Sequence, residues 1–446
     1  MSAPLETLLR DARVDLVLAR IEKNPSIIEE VIHHLNSEIR SIRFNSIFVL
    51  GELGEQSEFA VSRLNECLED NDWSICREAA KALGKIGNLA KEVTSSLTKL
   101  LQSEEESIRK EVAIALGKIG HPSKESITSL SNSLKDKSEE VRMEAAKALG
   151  EVGSDEYNVI SNLMEGLKDV SWSVRTTSAQ AISKIGKSSV TAIPTLINSM
   201  GDMDWRVRYR VIETLVQLGE IVVPNLLEVL EHENPIFRRG AIEALGELKI
   251  SDRKIIDRLS LCLQDKNPHV RSKSADALRN IGKDTIPNLV EAMKNSNKEM
   301  KRLITSAIGS MRLDAKDAIP SIIELLKEKS TTVRVEASRS LGKIAIGSEI
   351  ASNALYEILN DSNKKVRREA ALSLGKIGPA AKVAIPGLIN LLMDKKPDVR
   401  WRASEALGLI GVDSEEIISN LNNLIHDKCD YVCESAINAI DSLTEK

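Results

Sequence analysis

One pattern, seen as VRMEAAKALGEVG from Val141 to Gly153, returns along almost the whole chain. It limits the fold more than any other feature, because self-similarity at a short fixed period marks a stack of small units instead of one large core. Aligned on its arginine, the pattern gives Arg43, Arg109, Arg142, Arg175, Arg208, Arg238, Arg271, Lys301, Arg334, Arg367 and Arg400, with Cys76 and Cys433 filling the same column in two further copies. Successive members stand 33 residues apart, except for two intervals of 30, from Arg208 to Arg238 and from Arg271 to Lys301. Both short copies lose three residues in the turn between repeats, where deletion is cheapest.

Each copy reads as a helical hairpin. Counting the arginine as zero, apolar residues fall at −1, 3, 6, 7 and 10, as Val141, Ala145, Ala148, Leu149 and Val152 do in the fourth copy. That is the period of an amphipathic helix. A shorter first helix precedes it, as in Ala192 to Met200, and nothing alternates with the period of a strand. Nine of the 23 glycines sit at position 8 and nine more at position 11. Position 11 follows the last apolar residue, where a left-handed C-cap wants glycine. Position 8 lies inside the helix, where glycine costs about 1 kcal/mol relative to alanine. Its recurrence there predicts that a neighbouring helix packs too closely for a Cβ.

Prolines 194, 224, 287, 320 and 386 lie fourteen residues before the aligned basic residue. Asp70, Asp136, Asp169, Asp202, Asp265, Asp361, Asp394 and Asp427 lie six before that column. A proline in the first helix, an aspartate in the turn and a basic residue early in the second helix resemble the HEAT-repeat family. The LGKIG-type endings look most similar to the short repeats of phycobilin lyases. The resemblance covers residues 22–446 and implies an all-α, right-handed α-α superhelix of about 13 hairpins. Residues 1–21 fall outside the register and read as one N-terminal capping helix. The array is expected as a single continuous solenoid, least regular over about 188–315, where both short copies lie and where Lys249 and Arg312 replace the capping glycine.

The resemblance also implies a ladder, in which column arginines bridge turn aspartates of their own and adjacent layers. Its expected members are Arg142, Arg175, Arg208, Arg271, Arg367 and Arg400 with Asp136, Asp169, Asp202, Asp265, Asp361 and Asp394. A guanidinium suits this role because its planar fork serves two acceptors at once.

Catalytic constellations are thin. The six histidines share no column, and the iron-binding His-Glu pairs of the HEAT-type deoxyhypusine hydroxylases have one counterpart, His232-Glu233. Cys429 and Cys433 have no partner nearby in sequence to complete a tetrahedral site. The recurring GKIG reads as helix ends, since a phosphate-gripping loop occurs once, between a strand and a helix. No catalytic residue, metal or cofactor is therefore assigned. Five cysteines without a paired framework, a net charge of −5 and no basic-then-apolar leader point to a soluble, monomeric protein of a reducing cytoplasm, without a membrane span.

Positions 1, 2, 5 and 9 of the second helices form the solvent stripe, which the resemblance places on a concave surface. Sixteen basic and thirteen acidic residues occupy it. The expected partner-binding residues are Phe44, Phe48, Arg77, Lys81, Lys110, Met143, Tyr209, Arg339, Arg368, Leu372, Trp401 and Arg402. Aromatics and arginines most often dominate interface energy, and Trp401 beside Arg402 is the leading anchor. Trp73, Trp172 and Trp205 share a different column, three before the arginine, and read as a staple over the turn or a second ridge. The function expected is a non-enzymatic protein-interaction scaffold. The alternatives are a bilin-lyase-like protein, from the family resemblance alone, and a nucleic-acid- or ribosome-associated factor using the basic clusters of the stripe.

Overall fold

In the computed structural model, which describes residues 3–121, 123–153, 157–294 and 296–444, all regular secondary structure is helical. The second helices, labelled in chain order, are α1 (Arg40–Leu53), α2 (Trp73–Ile86), α3 (Glu106–Ile119), α4 (Glu139–Val152), α5 (Trp172–Ile185) and α6 (Trp205–Leu218). They continue with α7 (Pro235–Leu248), α8 (Pro268–Ile281), α9 (Lys298–Ser310), α10 (Thr331–Ile344), α11 (Lys364–Ile377), α12 (Pro397–Ile410) and α13 (Asp430–Thr444). Shorter first helices, many with a 3-10 turn before or after them, run between. Pro194, Pro320 and Pro386 sit in the first turn of theirs, where a missing N–H costs nothing. The fold class is the all-α stacked-hairpin superhelix that the repeats imply.

The start of each second helix is set by a column that the periodicity does not announce. Four residues before the arginine, the side chains of Asp72, Ser138, Ser171, Asp204, Asn234, Asn267, Asn297 and Asn363 accept from the first N–H groups of their helices. Such caps contribute about 1 kcal/mol each. Further along, Ala145, Ala148 and Leu149 are fully or nearly fully buried, as are their counterparts in the other copies except Ile440 in the last. Position 8 then shows why it is glycine: a Cβ on Gly84 would lie 2.9 Å from Ala115 Cα, on Gly150 2.8 Å from Ala181 Cα, and on Gly246 2.7 Å from Ala277 Cα. Position 8 of one second helix therefore rests on position 6 of the next.

Residues 1–21, read from sequence as one helix, hold Leu5–Arg10 and the start of Val14–Lys23. The break falls at Ala12, whose φ is +53°, while Arg13 N–H returns to Leu8 O at 2.8 Å. The break folds both pieces onto α1, burying Leu8, Leu9, Val17 and Ile21, and Asn45 donates to the Leu9 carbonyl at 2.7 Å.

The chain forms two compact units, Met1–Asn225 and Leu226–Lys446. The boundary falls within residues 188–315, the stretch that the sequence marks as least regular.

Candidate partner-binding face

The column arginines define one edge of each repeat. Arg142 donates through Nη1 to the Asp136 carbonyl of its own turn at 2.9 Å, and through Nε and Nη2 to the two carboxylate oxygens of Asp169 at 2.7 and 2.9 Å. The same fork joins Arg109 to Asp136, Arg175 to Asp202, Arg238 to Asp265, Arg334 to Asp361, Arg367 to Asp394 and Arg400 to Asp427. Each aspartate also accepts from the backbone N–H two residues on, as Asp169 does from Ser171 at 2.8 Å. An arginine thus reaches its own turn through that turn's carbonyls, and its carboxylate partner belongs to the following turn. Among the described residues, Arg208 and Arg271 carry bonds to their own turns alone, Arg208 to Asp202 O and Met203 O and Arg271 to Asp265 O and Lys266 O. Each precedes a short interval, where the residue six before the next column member is His232 or Asn295. At Cys433 the thiol takes over the carbonyl contact, to Asp427 O at 3.2 Å.

Burial pushes Asp136, Asp169, Asp265 and Asp394 upward, but the arginine fork and the backbone N–H outweigh it, and all four lie below the usual aspartate range. Asp427 is lowered chiefly by Arg400.

The stripe residues fall into two groups. In the first unit, Phe44 and Phe48 are half-buried on α1. The ammonium groups of Lys81 and Lys85 both lie 5.6 Å from the Phe48 ring centre, and the Arg40 guanidinium lies 6.0 Å from that of Phe44. Arg77 covers Trp73 at 5.4 Å, Lys81 pairs with the buried Glu78 at 3.2 Å, and Lys110 pairs with Glu140. Met143 is half-buried and Tyr209 is exposed. In the second unit, Arg339 joins Glu336 on its own helix at 3.0 Å to Glu369 on α11 at 3.2 Å, and Arg368 approaches Glu369 at 3.9 Å. Burial pulls Arg339 down, yet the two carboxylates hold it above its ordinary value. Leu372 is half-buried.

Arg402 lies 3.6 Å over the Trp401 ring and pairs with Glu405 at 2.5 Å, while Trp401 meets Tyr431 edge-on at 5.7 Å. A groove of about 440 Å³ opens there between α12 and α13, lined by Trp401, Leu409, Tyr431, Glu434 and Asn438 among others.

Two features escape the sequence reading. Carboxylates at position 2 (Glu78, Glu144, Glu336 and Glu369) are buried and take up stripe cations. Their signal is the recurrence of glutamate two residues after the column. Tyr431 completes the Trp401 groove from two residues before its column, outside the stripe positions. The tryptophan column stays exposed, Trp73 at 47%, Trp172 at 40% and Trp205 at 65%, and Arg206 lies 3.5 Å over Trp172. His232 accepts from Asn234 N–H at 3.0 Å and stacks on Phe237 at 4.2 Å. Among the described residues no three His, Cys, Asp or Glu side chains gather as metal ligands, and no helix is long and apolar enough to cross a membrane.

No curated protein sequence matches the chain. Among solved structures, Kap121p bound to Ste12p superposes with a TM-score of 0.62 at 14% identity, covering 98% of this chain and 57% of Kap121p. Kap121p bound to Nup53p gives 0.60 at 14%, with 98% and 57% covered. Importin beta gives 0.53 at 13%, with 96% and 71% covered. The chain spans under three fifths of the length of Kap121p in these matches, and at such identity the likeness is one of fold. The model of HEAT repeats matches residues 28–114, 62–134, 94–183, 160–223, 223–297, 286–363 and 352–441. With its matches running from residue 28 to 441 and its arginine-aspartate turns repeated along both units, the chain belongs to the HEAT-repeat family.

Proposed function

We propose that this protein is a non-enzymatic scaffold that binds a protein partner across the stripe of its second helices, on the concave side that the family resemblance implies. The observation that carries the reading is the groove between α12 and α13, where Trp401, Leu409 and Tyr431 stand open to solvent or half-buried at its wall. An aromatic pair held by Arg402 stacking offers a rigid apolar anchor with a polar rim, the make-up of an interface hot spot. Much of the stripe's basic charge is paired within the chain, which favours a protein partner over a polyanion. Kap121p, of the same fold, is seen bound to Pho4p, Ste12p and Nup53p. Five free cysteines, three of them buried, support a reducing cytoplasm.

The test is cross-linking capture through a photoreactive residue at position 409, with and without nuclease, in wild type and in Trp401→Ala, Arg402→Ala and Arg368→Ala. The expected outcome is nuclease-resistant capture of a protein, weakened about tenfold or more by Trp401→Ala, with the melting temperature nearly unchanged. Capture indifferent to all three substitutions removes the site. Nuclease-sensitive capture transfers the assignment to nucleic acid, and a bound tetrapyrrole absorbance without a protein partner transfers it to a chromophore carrier.

A further inference from the structure

At seven places the fork of a column arginine takes both oxygens of the aspartate in the following turn. Arg271 stands in the same column and makes the same bonds to its own turn, Nη1 donating to Asp265 O at 2.8 Å and to Lys266 O at 3.2 Å. Its Nε and Nη2 meet no acceptor among the described residues. The next interval is one of 30 residues, and the residue six before Lys301 is Asn295, which has no carboxylate and lies outside the described residues. Beside Arg271 lies a cavity of about 440 Å³, with Lys298, Arg302 and Glu299 on its wall and Met300 and Leu303 as its apolar part. Three cations thus face one carboxylate, and neither Lys298 nor Arg302 has an ion pair among the described residues.

We propose that this cavity receives the carboxylate of an acidic side chain on a protein partner, against the open edge of Arg271 and the cations of Lys298 and Arg302. The two carbonyl bonds through Nη1 hold the guanidinium as they do in its sister repeats, so the Nε–Nη2 edge is pre-organised for two coplanar oxygens. In seven sister repeats that edge takes both oxygens of a carboxylate; Arg208, before the other short interval, shares the lack with Arg271. Lys298 and Arg302 make the surrounding field positive, and an unmatched cation cluster favours an incoming anion. Ser272 and Arg302 occupy position 1 of α8 and α9, and Leu303 occupies position 2, so the cavity opens on the stripe already assigned to the partner. The protein nature of the ligand rests on the scaffold reading; the anion chemistry rests on Arg271, Lys298 and Arg302.

The test uses the full chain and a fluorescein-labelled peptide with four consecutive glutamates, titrated by anisotropy at constant ionic strength. The glutamine counterpart and inorganic phosphate are run beside it. The glutamate peptide binds and the glutamine peptide does not. Arg271→Gln weakens binding about tenfold or more, and Arg302→Gln and Lys298→Gln, at exposed residues, weaken it without touching the fold. Arg271→Lys keeps the charge, removes the fork and also weakens binding. Arg63→Gln, which removes an equal charge from a partly exposed residue of the other unit, leaves it unchanged. Equal loss in Arg63→Gln, or no loss in Arg271→Gln, overturns the site. Phosphate that binds through Arg271 while the glutamate peptide does not overturns the carboxylate assignment in favour of a phosphoryl group. Peptide binding that survives while capture through position 409 fails leaves the site standing and removes the scaffold reading.

Discussion

Lys249 and Arg312 hold the place that glycine holds in nine other copies, and both adopt positive φ, +52° and +55°. The glycines show two conformations there. Gly120 and Gly411 are left-handed helical, at φ/ψ of 64°/16° and 71°/29°, and Lys249 follows them at 52°/33°. Gly87, Gly186 and Gly378 instead lie near ψ of −140°, where the chain enters a 3-10 turn at once and a Cβ is scarcely tolerated. Arg312 opens such a turn, Arg312–Ala318. A left-handed L-residue costs about 1–2 kcal/mol, part of which glycine returns in chain entropy. Arg312→Gly should therefore stabilise by about 0.5–1 kcal/mol, read as a raised urea midpoint; a lowered midpoint refutes the strain. Position 8 behaves oppositely. Gly150→Ala should destabilise by about 1–3 kcal/mol despite alanine's better helix propensity, because the clash is with Ala181 Cα. Ala181→Gly will not rescue it. In Gly309→Ala the new methyl lies 2.8 Å from Ser340 Cβ, so Ser340→Gly should recover most of the loss. Equal rescue in both pairs counts against backbone contact as the cause.

At the scale of the element, the unit is a second helix with the turn before it, fastened by one guanidinium to two successive turns. Arg142→Lys retains the charge but cannot serve Asp136 O and both Asp169 oxygens together, and should cost about 1–2 kcal/mol in urea unfolding. Lys301, paired with Glu328 at 2.5 Å, is the natural lysine of the column, so Lys301→Arg tests the converse. The helices were legible because period and glycine register both belong to the backbone. The caps four residues before the arginine were less so, since Asp, Ser and Asn there look like turn residues of any kind. The destination of most column arginines was legible as an aspartate, with Arg208 and Arg271 the exceptions, but its direction along the array was not. Sequence spacing places Asp136 six residues from Arg142 and Asp169 27 away, and nothing local says that the nearer residue gives only its carbonyl. The stripe was legible as a face, whereas the pairing of its cations depends on neighbours across α10 and α11. The break at Ala12 had no periodic signal, because helix-forming residues continue on both sides of it.

For the molecule as a whole, these small units are repeated with one electrostatic sign. Stability in a repeat array is close to a sum over repeats and their interfaces, so shifts in one direction accumulate. Asp136 and Asp169 in the first unit and Asp265, Asp394 and Asp427 in the second are all held below the usual range. A carboxyl whose folded pKa lies below its unfolded value of about 3.9 contributes stability that is fully present above that value. The contribution is lost as pH falls through the depressed folded value. Glu111, raised by burial, opposes this, because its protonation relieves a cost. Asp72 and Asp204, held at about 2, and Asp15 and Glu139, also lowered, are solvated carboxyls whose partners are screened and do not enter the balance. Five depressed carboxyls against one raised one make acid destabilising. Each unmatched proton contributes a slope of about 1.4 kcal/mol per pH unit. The urea midpoint, followed by helical circular dichroism, should be nearly flat from pH 7 to 5 and fall steeply below about 4. Asp169→Asn should start lower and fall less over the same acid range, because one rung is already gone. A midpoint that holds from pH 5 to 3, or an Asp169→Asn variant that loses as much as the wild type, would show that the rungs fix register without storing stability.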